Sequence, residues 1–85
     1  MIRPTILKSE ISNVEFGKNV VIKEPVNIYG CIIKDNVFVG PFVEIQKNVR
    51  IGCRTKIQSH SFICELVEIG NDCFIGHGVV FINDL

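Results

Sequence analysis

Two histidines, His60 and His77, stand out in a chain of 85 residues that balances nine basic against nine acidic side chains. Imidazole is the side chain whose ordinary pKa lies nearest neutrality, so either histidine can take up or release a proton during a reaction. Such assistance is typically worth about 10²–10⁴-fold in rate. Glu65 adds a carboxylate a few residues beyond His60. Asn83 and Asp84 form a polar pair that either holds a ligand or makes a turn, which both residue types favour. Each of these residues also has a plainer reading, as a solvated surface side chain. The four cysteines, Cys31, Cys53, Cys64 and Cys73, include no C-x-x-C pair of the zinc or redox kind. They read as reduced, structural thiols, since free cysteine packs as a small hydrophobe.

What positions these residues is a repeat. Every sixth residue from Ile33 is large and apolar: Ile33, Val39, Ile45, Ile51, Ile57, Ile63, Ile69, Ile75 and Phe81. One five-residue step leads back to Ile28, and six-residue steps continue to Ile22 and Phe16. A helix repeats its apolar face near 3.6 residues and a strand near 2. A rigid period of six, with glycine often next to the anchor, marks a hexapeptide β-helix, a solenoid of short parallel strands.

A second column sits two residues before each anchor: Val14, Val20, Val26, Cys31, Val37, Val43, Val49, Thr55, Ser61, Val67, Cys73 and Val79. All are small or β-branched, and alternate residues of a strand share a face. Each rung therefore offers one large and one smaller inward side chain, while Glu44, Arg50, Lys56 and Glu68 point out. Glycine follows the anchor at Gly17, Gly40, Gly52, Gly70 and Gly76, where a corner is expected to want a permissive backbone. An ordinary β-meander would instead space its turns about 8–12 residues apart.

Three hexads make one triangular coil, so the spacing predicts an all-β solenoid of about four coils over residues 14–85. Residues 1–13 read as a lead-in or partial coil, with Ile2, Ile6 and Ile11 as its apolar residues, expected to cover the first rung. The anchors should stack as Phe16, Ile33, Ile51, Ile69; as Ile22, Val39, Ile57, Ile75; and as Ile28, Ile45, Ile63, Phe81. His60 and His77 then fall at one corner in adjacent coils. Cys64, Glu65 and Leu66 fall at the next corner, one coil from Ile82, Asn83 and Asp84. The sequence stops at Leu85, where a new coil should begin, which predicts either a piece of a longer enzyme or an end covered by another copy.

Charge is scattered with no basic stripe, which argues against nucleic acid as a partner. No run of about 18 apolar residues is present, and Met1 to Glu10 has no leader-like apolar core, so the expectation is a cytoplasmic protein that does not span a membrane.

The segments Ile57–Glu65 (IQSHSFICE) and Phe74–Leu85 (FIGHGVVFINDL), with the opening Ile2-Arg3-Pro4-Thr5, resemble the nucleotide-sugar N-acetyltransferases of the left-handed β-helix superfamily. The likeness is nearest to those acetylating the 3-amino group of dTDP- or UDP-linked amino sugars for surface polysaccharides. That resemblance implies a left-handed parallel β-helix and a homotrimer with sites in the clefts between prisms. It implies acetyl-CoA as co-substrate and a nucleotide-linked amino sugar as acceptor, with a loop leaving the prism after Asn83-Asp84.

On this reading His60 is the general base or amine-orienting residue. Glu65 binds or polarises the sugar amine, Asn83 and Asp84 hold the sugar, and His77 contacts substrate or CoA. Two other readings stand beside it. A zinc enzyme, as in carbonic anhydrases sharing the fold, needs three protein ligands, and two histidines fall short. A non-catalytic scaffold would use the same solenoid without binding either substrate.

Overall fold

Successive Cβ atoms of a strand face opposite sides, so a strand of two or three residues is enough to send one side chain inward and its neighbour out. The computed structural model describes residues 2–83. Its first wall is made of β1 (Ile11–Ser12), β4 (Val26–Tyr29), β7 (Val43–Ile45), β10 (Phe62–Ile63) and β13 (Val80–Phe81). The second contains β2 (Glu15–Phe16), β5 (Ile32–Ile33), β8 (Arg50–Ile51) and β11 (Glu68–Ile69), and the third β3 (Val21–Ile22), β6 (Phe38–Val39), β9 (Lys56–Ile57) and β12 (Phe74–Ile75). Every pairing is parallel, and successive strands in the chain lie on successive walls. The result is an all-β solenoid of about four turns, a left-handed parallel β-helix.

The ladders follow the six-residue count. Phe16 pairs with Ile33, Ile33 with Ile51, and Ile51 with Ile69. Ile22, Val39, Ile57 and Ile75 form the next ladder, and Ile28, Ile45, Ile63 and Phe81 the last. Ile28, Ile33, Ile45, Ile51, Ile57 and Ile63 are fully enclosed. Each such isoleucine contributes roughly 1.5–3 kcal/mol by leaving water. The smaller column is inward too, and its two polar members are satisfied. Thr55 Oγ1 donates to the Gly70 carbonyl at 2.8 Å, and Ser61 Oγ reaches the Gly76 carbonyl at 3.0 Å.

The corners revise the role expected of glycine. None of Gly17, Gly40, Gly52, Gly70 or Gly76 has positive φ. The left-handed residue comes two places later, at Asn19, Asn36, Phe42, Asn48, Arg54, His60, Leu66, Asp72 and Gly78. There it turns a backbone N–H towards the coil before it: Asn36 donates to the Lys18 carbonyl at 2.8 Å and Asp72 to that of Cys53 at 2.8 Å. The glycines answer to space instead. A Cβ on Gly52 would lie 2.6 Å from the Asn71 nitrogen, and one on Gly17 2.7 Å from that of Asp35. At Gly70 and Gly76 a Cβ would meet nothing within 4 Å.

The lead-in differs from expectation. Ile11 joins the first wall through β1, paired with Ile28. Residues 2–10 form no strand and are exposed, with Ile2 at 96% and Leu7 at 88%, and Phe16 of the first rung stays 46% exposed. This segment does not cover the first rung. Pro4 supplies no N–H for a ladder, and the link to the neighbouring coil is the Glu10 carbonyl, which accepts from Ile28 N–H at 3.0 Å.

Cys31 is enclosed as expected, and burial pushes its thiol up from 9.0 to about 11. The folded chain therefore keeps this proton where the unfolded chain loses it. Its contribution is complete below pH 9 and is lost as pH rises through about 11. In urea titrations, Cys31→Val should flatten the fall in stability across that window; an unchanged slope would place the effect elsewhere. Ile57→Ala should cost about 2–5 kcal/mol by leaving a cavity. Gly52→Ala should lower the melting temperature clearly.

Candidate functional site

A left-handed corner presents its side chain to solvent, and the residues singled out for chemistry occupy such corners. Between the third and first walls, two columns run parallel to the solenoid axis. One contains Pro41, Ser59 and His77. The other contains Phe42, His60 and Gly78, each with positive φ.

The histidines accordingly face different partners. His77 is exposed, and its Nδ1 lies 2.9 Å from Ser59 Oγ, a hydrogen bond whose direction follows the imidazole tautomer. His60 is exposed as well, and its ring stacks on Phe42 with centroids 5.1 Å apart and planes 24° from parallel. That offset geometry is worth roughly 0.5–1.5 kcal/mol beyond the area it covers. The His60 N–H donates to the Pro41 carbonyl at 3.2 Å, which fixes where the side chain leaves the corner.

Glu65 belongs to the corner between the first and second walls. Its side chain is 37% exposed, and a carboxylate oxygen lies 3.7 Å from Lys47 Nζ. Its N–H donates to Gln46 Oε1 at 3.2 Å, and Gln46 Nε2 donates to Glu44 Oε2 at 3.0 Å. Asn83 Nδ2 donates to the Glu65 carbonyl at 2.7 Å. Part of Asn83 is thus engaged in tying one coil to the next. Asp84, expected beside it, lies outside the described residues.

The structure brings His60 and His77 to one corner and Glu65 and Asn83 to another. Both corners border the outer face of the first wall, which displays Glu44, Phe62 and Val80. Five residues of extended chain separate His60 from Glu65, a span of up to about 17 Å. Among the described residues, no hydrogen bond or ion pair joins either histidine to Glu65 or Asn83. A single prism therefore does not assemble the four into one constellation. The far corner, between the second and third walls, is occupied by an exposed pair in which Arg54 donates to both Asp72 oxygens at 2.7 and 3.0 Å. That contact holds the Asp72 carboxyl below the usual carboxylate range.

Ser59, Lys47 and Phe42 were not singled out from sequence. For Phe42 the signal exists in the repeat. It sits three places after Val39, as His60 sits three places after Ile57, which puts it directly beneath His60.

Residues 30–65 match the family described as bacterial transferase hexapeptide (six repeats), less than half of the chain. Over 54 residues, 64% of the chain, the sequence is 43% identical to the bifunctional protein GlmU of Acetivibrio thermocellus, and the match spans 11% of that protein's length. No solved structure matches the chain.

Asn83→Ala removes the hydrogen bond to the Glu65 carbonyl. Urea unfolding should show a loss of about 0.5–1.5 kcal/mol, and amide exchange near Glu65 should quicken; unchanged exchange there would mean the contact does not persist in solution.

Proposed function

We propose that this chain is part of an acyl-CoA-dependent acetyltransferase that modifies the amino group of a nucleotide-linked amino sugar used for surface polysaccharide. The observation that carries the reading is an exposed imidazole, His60, fixed at a corner of hexapeptide repeats whose residues 30–65 match a transferase family. The likeness to nucleotide-sugar N-acetyltransferases in Ile57–Glu65 and Phe74–Leu85 supplies the substrate class.

Acetyl-CoA provides the acetyl thioester as co-substrate. The amine attacks the thioester carbon only when unprotonated, so His60 orients it and accepts the proton released as the C–N bond forms. The C–S bond then breaks, and the proton passes to the departing thiolate. Negative charge on the carbonyl oxygen between these steps calls for backbone N–H donors, which solenoid corners can present outward. Glu65 holds the sugar amine, Asn83 and Asp84 hold the sugar, and His77, steadied by Ser59, contacts substrate or CoA.

The separation of the two corners supports a homotrimer. In a cleft between prisms, the His60 corner of one copy faces the Glu65 corner of the next, which one prism alone does not achieve. Apolar side chains on the walls flanking the His60 corner, Phe74 at 67% and Val80 at 59% exposure, suit such a contact. The proposed location is the cytoplasm, where acetyl-CoA and nucleotide sugars are made.

The test uses the full-length protein with acetyl-CoA and a dTDP- or UDP-linked amino sugar, following release of the CoA thiol. His60→Ala should slow turnover about 10²–10⁴-fold, and Glu65→Ala should raise the KM for the sugar. Wild-type rates for both at limiting sugar would refute these roles. Absence of calorimetric binding of either substrate would favour a scaffold.

A further inference from the structure

Phe42 is conspicuous for what it lacks. It is 57% exposed, so it is not a core residue. Its φ of 59° lies in the left-handed region, where a bulky side chain is a genuine outlier. Equivalent corners use Asn19, Asn36, Asn48, Asp72 and Gly78, residue types that enter this region at little cost, but also Arg54 and Leu66, so the backbone alone does not single out Phe42. Backbone strain of this kind persists where the surroundings fix it, and it clusters at functional sites. The contact that distinguishes Phe42 from those corners is the ring stack on His60, with centroids 5.1 Å apart.

The geometry points to Phe42 as a positioning residue that holds the His60 imidazole in its working orientation. An exposed imidazole on a corner turns freely about its side-chain bonds. A ring one coil below, on the same left-handed position, removes that freedom from one side. The next residue of the column is Gly78, which has no side chain to lay over the imidazole from the other side. His60 is therefore braced on the Phe42 side while the residue as a whole stays exposed. Phe42 itself touches neither reacting atom; it acts through the imidazole. This role rests on the proposed function of His60.

The test compares Phe42→Asn, Phe42→Tyr and His60→Ala in the full-length protein. Asn is the residue other corners use, so Phe42→Asn should keep the fold and melt within about 5 °C of the parent. It should nevertheless lower kcat about 10–100-fold, as a small misplacement of a catalytic group does, with KM for the sugar within about two-fold. Phe42→Tyr, which keeps the ring, should retain the parent kcat. Adding Phe42→Asn to His60→Ala should cost nothing further. Parent kcat in Phe42→Asn while His60→Ala is slow would overturn the positioning role alone. Parent kcat in His60→Ala would overturn the role of His60, and that of Phe42 with it. A loss of kcat in Phe42→Tyr equal to that in Phe42→Asn would also count against the stack.

Discussion

Each coil of this protein is held by the backbone of the coil beside it. Strand N–H groups donate to carbonyls one coil on, as Gly40 does to Ile57 at 2.8 Å and Gly52 to Ile69 at 2.7 Å. That ladder closes when strands repeat in fixed register, and register decides which side chains face in. A slip of one residue would send every anchor outward. The corners protect the register by returning a left-handed residue at every turn between described strands except the one at Glu24-Pro25. Where Ile28 to Ile33 is a residue short, the loss falls in the corner at Gly30, with φ of 63°, and the strands on either side keep their pairing.

Function inherits this constraint. Corner side chains are exposed, ordered and repeated in columns, so chemistry can be placed by choosing residues one coil apart. The column position then governs what each residue can do. His77 and His60 differ by one place within the corner, and that place decides that one meets a hydroxyl and the other an aromatic ring. Polar corner residues also carry structure. Asp35 Oδ1 accepts from Lys18 N–H at 2.8 Å, and Asn71 Oδ1 accepts from Cys53 N–H at 2.8 Å. Asn83 belongs to this knitting as well as to the candidate site.

Most of the solenoid was legible because its period is a property of residue type alone. The inward ladders, the small second column and the placement of both histidines at one corner all follow from counting sixes. What counting misses is conformation and reach. Glycine beside the anchor suggested a backbone need, yet Gly52 answers to the closeness of the next coil. The left-handed position was half visible, since Asn19, Asn36, Asn48 and Asp72 are natural occupants, while Arg54, Leu66 and Phe42 disguise it. The lead-in misled for a related reason. Ile2 and Ile6 look like anchors, but an inward side chain needs a neighbouring strand, and Pro4 helps to deny one.

The claim on which all else depends is that aliphatic side chains from consecutive coils meet inside a three-walled tube. Methyl-to-methyl NOE measurements on the labelled protein test it most directly. The expected result is strong contacts for Ile45 with Ile63, Ile51 with Ile69, and Ile57 with Ile75, with amide cross-peaks of parallel strands. Contacts of hairpin type between neighbouring segments, such as Ile51 paired antiparallel with Ile57, would contradict the solenoid and every functional inference drawn from it.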